Sequence, residues 1–150
     1  MNKIFVSWDK YVSQCESLAS IIKRNQEPFD AIITLARGGF IPATIIAHEL
    51  NIDEVFSIGA SYYSGDTKRE HPYVYQNLPQ GIDVKRVLVV DEICDSGRTW
   101  RHVQAELQER GCEDAVLATL CLKEGAVPIP TYWMQFVEKD EWIVFPYEKE

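Results

Sequence analysis

The most chemically loaded stretch of the chain reads Asp91-Glu92-Ile93-Cys94-Asp95-Ser96-Gly97-Arg98-Thr99. The apolar run Val87-Leu88-Val89-Val90 before it reads as a strand. From Thr99 to Arg110, Val103 and Leu107 fall on one face of a predicted helix that Gly111 stops. An acidic pair therefore stands where a strand ends, and a short loop bearing hydroxyls and glycine leads into a helix N-terminus. Unpaired N–H groups and the helix dipole at such a terminus attract an anion. A phosphate on Asp95-Ser96-Gly97-Arg98-Thr99, with a hydroxyl-bearing sugar beside Asp91 and Glu92, is the simplest ligand that satisfies all these groups. Neither the P-loop pattern nor the Rossmann glycine fingerprint occurs in the chain, so those phosphate-loop readings fail. An acidic turn in which Ser96 and Thr99 merely cap a helix is the alternative. It leaves two acids beside a buried strand unexplained. A second anion-seeking group, Arg37-Gly38-Gly39, follows the apolar run Ala31 to Ala36.

Holding these loops together takes a sheet. Ala31 to Ala36 suits a strand buried on both faces. A helix is predicted from Pro42 to Leu50 with Pro in its first turn, and strands over Val55 to Tyr62, Ala115 to Leu122 and Trp133 to Val137. Tyr11, Cys15, Leu18 and Ile22 recur at helical spacing, so Asp9 to Arg24 is an amphipathic helix capped by Ser7 or Asp9. Tyr63 to Lys85 is a long polar segment, read as a loop. Strands alternating with helices imply an α/β fold with right-handed crossovers and a mainly parallel sheet flanked by helices. Ligands in such sheets bind beyond the carboxyl ends of the strands. The loops beginning at Ala36, Asp91 and Lys123 are therefore the ones expected to carry function.

The 150 residues fit one domain, 1–150, with no repeat, low-complexity tract or linker. Net charge is −8, from 23 acidic and 15 basic side chains, which opposes a nucleic-acid partner because that needs a basic face. A small anion needs only a few local cations and remains compatible. Cys15, Cys94, Cys112 and Cys121 form no CxxC pair and no metal-ligand spacing, so they read as cytosolic core thiols. His48, His71 and His102 have no evident chemical partners and read as structural or surface residues. No stretch approaches the roughly 20 apolar residues that span a bilayer. A cytoplasmic protein with no integral membrane association is expected.

The run from Val89 to Thr99 resembles the phosphoribosyl pyrophosphate (PRPP) signature of type I phosphoribosyltransferases, with Ser96 where Thr is usual and Glu92 as the second acid. Ser7-Trp8-Asp9, Ala36-Arg37-Gly38-Gly39-Phe40-Ile41-Pro42 and Asp140-Glu141-Trp142-Ile143 resemble the short bacterial xanthine-guanine subgroup. The resemblance implies the type I fold, with a small hood and a mobile active-site loop spanning Ser61-Tyr62-Tyr63 to Arg69-Glu70. It implies transfer of 5-phosphoribosyl from PRPP to a 6-oxopurine (guanine, xanthine or hypoxanthine) in purine salvage, with release of pyrophosphate. Under that reading Asp95 to Thr99 cradle the 5′-phosphate, while Asp91 and Glu92 hold the ribose and stay ionised near the developing cation. Arg37, Gly38 and Gly39 bind pyrophosphate, and Lys68 and Arg69 close over it. Asp95 takes the proton of the base, Lys123 donates to its O6, Trp142 stacks on it and the Ile143 backbone reads its edge. Mg2+ is the implied cofactor, held by Glu92 and Asp91, and a homo-dimer or tetramer the implied assembly. A different base, and a non-catalytic PRPP sensor of the same fold, are the alternatives; the second lacks the basic face it would need.

Overall fold

The computed structural model describes residues 1–149. The chain forms β1 (Asn2–Phe5), α1 (Trp8–Asn25), β2 (Ala31–Ala36), α2 (Phe40–Leu50), β3 (Val55–Ser64), β4 (Thr67–Gln76), β5 (Arg86–Cys94), α3 (Arg98–Glu109), β6 (Asp114–Lys123), β7 (Tyr132–Val137) and β8 (Glu141–Val144). Six strands make the main sheet in the order β4-β3-β2-β5-β6-β7. All of its neighbours run parallel except β3 and β4, which are antiparallel. A separate parallel pair joins the two ends of the chain, with Ile4 opposite Ile143 and Phe5 opposite Val144.

Strand alternation sorts the core onto the two faces of the sheet. Ile32, Leu88, Val90 and Leu120 pack against Tyr11, Cys15, Leu18 and Ile22 of α1 and against Ala43, Ile46 and Ala47 of α2. Ile33, Val87, Val89 and Leu117 face the other way, onto Trp100, Val103 and Leu107 of α3. Burial of β2 and β5 on both faces explains why their sequences are runs of apolar residues rather than alternations. Ser7, not Asp9, caps α1, accepting a hydrogen bond from the Lys10 N–H at 3.2 Å.

Three expectations are corrected. Tyr63 to Lys85 is not an open loop: Thr67–Gln76 forms β4 and pairs back on β3. A two-residue turn, Gly65-Asp66, joins the strands, with Gly65 at φ 62° in the place a type II′ hairpin gives to glycine. Tyr73, Val74 and Tyr75 supply strand propensity that the charged residues around them conceal. α2 starts at Phe40, so Pro42 is its third residue rather than its first; the first four N–H groups of a helix lack partners anyway. β5 runs on to Cys94, so Asp91 and Glu92 lie within the strand and not beyond it. β1 and β8 went unpredicted, because four-residue strands carry too little periodicity to register.

Candidate active site

The carboxyl ends of β2, β3 and β5 open on a cleft of about 700 Å³. Its wall brings together Arg37 and Gly38 after β2, Asp91 and Glu92 on β5, and Asp95 to Thr99 in the turn from β5 to α3, together with Tyr62, Lys68 and Tyr75 from the β3–β4 arm. A second cleft of about 770 Å³ shares Arg37, Gly38 and Glu92 with the first and adds Lys3, Trp142, Tyr147 and Glu148. Arg37, Gly38 and Glu92 therefore form a common wall between two ligand-sized spaces.

Because Asp91 and Glu92 are consecutive on a strand, their side chains leave opposite faces of the sheet. Glu92 turns to the α1 and α2 side, against the turn after β2. A Cβ placed on Gly38 would lie 2.2 Å from Glu92 Cδ and Oε1. Asp91 turns to the α3 side, and its Oδ1 accepts from the Glu92 N–H at 2.7 Å. Burial, helped by the neighbouring Glu92, pushes the Asp91 carboxyl well above the usual carboxylate range. Burial and the nearby Glu148 raise Glu92 from an ordinary 4.5 to about 7, with Arg37 opposing them. Burial therefore works against charge on both acids, while Arg37 favours it on Glu92. Glu92 Oε2 is buried and accepts no hydrogen bond from the protein, although the residue lines both clefts.

The turn from β5 to α3 is shaped by Gly97. Its φ of 86° is one that residues with a Cβ rarely adopt, and a Cβ there would stand 2.1 Å from the Val127 carbonyl oxygen. The Val127 N–H donates to the Ser96 carbonyl at 3.0 Å, and Arg101 Nη1 donates to the Val127 carbonyl at 2.7 Å. The loop is thus pinned from outside, with exposed Asp95 and Ser96 and the first turn of α3 facing the cleft. Such a terminus binds a phosphate through N–H groups that no helical carbonyl uses.

The phosphoribosyl transferase domain family matches residues 3–148, nearly the whole chain. The chain belongs to the phosphoribosyl transferase family. It is 31% identical to a xanthine-guanine phosphoribosyltransferase of Gluconobacter oxydans over 95% of this chain and 83% of that one. A second such relative, from Idiomarina loihiensis, is 29% identical over 97% of this chain and 87% of its own length. Among solved structures, a purine phosphoribosyltransferase from Pyrococcus horikoshii superposes with a TM-score of 0.86 at 30% identity, covering 100% of this chain and 96% of the other. The α/β fold, with its mostly parallel sheet, is that of the type I phosphoribosyltransferases.

Within this phosphoribosyltransferase the predicted residues divide into those the fold gathers and those it spends elsewhere. Arg37, Gly38, Asp91, Glu92, Lys68 and the loop from Asp95 to Thr99 share the first cleft. Gly39 does not line it. A Cβ on Gly39 would strike Thr34 Oγ1 at 2.4 Å and the Val90 carbonyl at 2.6 Å, so its lack of a side chain serves packing of the turn against β2 and β5. The Arg69 guanidinium lies 5.4 Å from the Tyr73 ring centre and its Nε donates to the Tyr63 carbonyl at 3.0 Å, which keeps it within the arm. Arg98 lines the cleft, but its guanidinium donates to the Arg69 and Glu70 carbonyls. Lys123 lines neither cleft; its Nζ donates to the Glu141 carbonyl and so ties β6 to β8. Trp142 is half exposed and lines the second cleft. The Ile143 side chain is in the core, and its backbone is paired with β1. Sequence reasoning missed Tyr62 and Tyr75, whose hydroxyls place the arm against Arg98 and the Ala36 carbonyl. Four tyrosines among the polar residues of the hairpin were the available signal.

Proposed function

We propose that the chain transfers the 5-phosphoribosyl group of PRPP to a ring nitrogen of a 6-oxopurine, releasing pyrophosphate, and so acts in purine salvage. One observation carries this reading: the Arg37-Gly38 turn touches Glu92 within the same cleft that the Asp95–Thr99 loop closes. Two anion-binding turns on either side of buried carboxylates fit a sugar with a phosphate at one end and a pyrophosphate leaving group at the other. Xanthine-guanine relatives at 29% and 31% identity support the choice of base.

In the reaction the C1–O bond to pyrophosphate breaks, and the electron pair leaves with the oxygen. The bond from C1 to the base nitrogen forms, and the proton of that nitrogen passes to Asp95. Loop N–H groups and the hydroxyls of Ser96 and Thr99 anchor the 5′-phosphate; Arg37 and Lys68 draw charge off the departing pyrophosphate. Asp91 and Glu92, buried and electron-rich, stabilise positive charge growing on the sugar ring. Trp142 lines the second cleft, where the base would enter, and the reading of the base edge is assigned to Lys123 and the Ile143 backbone.

Mg2+ fits these residues: Glu92 Oε2 is a buried oxygen without a donor, and Asp91 is a second, half-buried carboxyl on the same strand. No cluster of three or more metal-binding side chains exists among the described residues, which suits a hard cation taking one or two carboxylates and substrate phosphates. When bound it would neutralise pyrophosphate as that group leaves. We place the enzyme in the cytoplasm, a setting supported by four free, buried cysteines. A homo-dimer or tetramer is supported by exposed Trp133 and Phe136 on β7, the strand at one edge of the main sheet.

The test is the paired variant Asp91→Asn with Glu92→Gln. It should fold as the parent does and lose nearly all nucleoside monophosphate formation; near-normal turnover would contradict the assignment.

A further inference from the structure

The arm from Ser61 to Gln76 contributes Lys68 to the cleft, yet its residues belong to none of the buried core clusters. It lies at the edge of the sheet, paired only with its own hairpin partner. Something other than apolar packing must therefore hold it in place. At its base the Tyr75 hydroxyl donates to the Ala36 carbonyl at 3.3 Å, beside the Arg37 turn. Nearer its tip one side chain supplies the rest. Arg98, the first residue of α3, donates through Nη2 to the Arg69 carbonyl at 3.2 Å and the Glu70 carbonyl at 3.0 Å. Its guanidinium lies 4.4 Å from the centre of the Tyr62 ring, and the Tyr62 hydroxyl donates back to the Arg98 carbonyl at 3.0 Å.

We propose that Arg98 is a positioning residue that latches the β3–β4 arm to the phosphate-binding turn, so that the arm's Lys68 stands over the pyrophosphate end of the substrate. The inference rests on the phosphoribosyl transfer reading and changes one part of it: the Arg98 backbone belongs to the 5′-phosphate cradle, while its side chain serves the opposite end of the ligand. The chemistry favours arginine. One guanidinium amino group donates to two successive carbonyls while the guanidinium plane lies over an aromatic face, and a lysine ammonium has no such plane. The arm and the phosphate turn then become one unit, and fixing the turn fixes the position of Lys68.

The two roles open to Arg98 separate by ligand. PRPP carries both a 5′-phosphate and a pyrophosphate; guanosine 5′-monophosphate carries the 5′-phosphate alone. In Arg98→Ala, the dissociation constant for PRPP should rise by about tenfold, the loss of one to two hydrogen bonds to a charged donor. That for guanosine 5′-monophosphate should stay within about twofold of wild type. Arg98→Lys should show the same split, because charge without the plane that lies over Tyr62 does not restore the latch. Amide hydrogen exchange over residues 61–76 should quicken in both variants, with ligand or without. Parallel weakening of both ligands would mean that Arg98 grips the 5′-phosphate itself and would overturn the proposal. Unchanged exchange in the arm would overturn it too, and this readout needs no ligand. A wild-type chain that binds neither compound would instead overturn the phosphoribosyl reading, leaving the exchange experiment to decide the latch. Should Arg98→Ala fail to fold, Arg98→Lys and Tyr62→Phe carry the same comparison, Tyr62→Phe removing only the hydroxyl that returns to the Arg98 carbonyl.

Discussion

Gly38 and Glu92 stand in contact across the cleft floor, so closely that a single added methyl on Gly38 would lie 2.2 Å from the Glu92 carboxyl carbon. This contact joins the turn that follows β2 to the acidic pair on β5, and it places Glu92 at the common wall of both clefts. Under the proposed reaction, this turn and this carboxylate would act on neighbouring atoms of one ligand.

Gly38→Ala should therefore displace Glu92 rather than unfold the chain, since the obstacle is the end of a side chain. A shift of about 1 Å in a reacting group costs on the order of a hundredfold in rate. Steady-state assays should show kcat/KM for PRPP reduced by about that factor, with the thermal midpoint close to wild type. Full activity would show that the contact is incidental.

Gly97→Ala meets backbone instead of a flexible side chain. The φ of 86° and the Val127 carbonyl oxygen at 2.1 Å both oppose a Cβ. Denaturant unfolding should show a loss of about 1–3 kcal/mol, accompanied by a raised KM for PRPP. Wild-type stability would contradict the geometry of the turn.

The raised Glu92 carboxyl has a signature in stability. Folded Glu92 keeps its proton up to about pH 7, against an ordinary value of 4.5. Its contribution to folding is therefore complete below the lower value and lost as pH rises through the upper one. With EDTA present and no ligand, wild type should lose on the order of 3 kcal/mol relative to Glu92→Gln between those limits. Equal pH slopes for the two proteins would contradict the burial assigned to this carboxyl.

Lys123→Ala separates base from sugar. Loss of a charged hydrogen bond to O6 should raise KM for guanine by about tenfold or more and leave KM for PRPP nearly unchanged. Because Lys123 also ties β6 to β8 through the Glu141 carbonyl, a small loss of stability should accompany it. Equal effects on both substrates would remove Lys123 from base recognition.

What the sequence made legible follows from how local each signal is. β2 is a continuous apolar run and was placed closely, as was α1 with its buried positions at helical spacing, whereas β5 was legible only over its apolar part, Val87 to Val90. That Asp95-Ser96-Gly97-Arg98-Thr99 stand together at one cleft was legible because they are contiguous. The separation of Asp91 and Glu92 onto two faces was not, since it depends on β5 continuing to Cys94 in register with β6. β4 was hidden because its strand propensity rests on Tyr73, Val74 and Tyr75 amid charges. The partners of Arg98 and Lys123 lie 28–36 and 18 residues away in the chain, beyond anything a sequence pattern encodes.

The central claim is most directly tested by supplying the protein with PRPP and Mg2+ and, in turn, guanine, xanthine, hypoxanthine, adenine and uracil, while measuring pyrophosphate and nucleoside monophosphate together. Equimolar pyrophosphate and nucleotide should form with at least one of the three 6-oxopurines and not with adenine or uracil. Product with adenine or uracil alone, or binding of PRPP without transfer to any base, would contradict it.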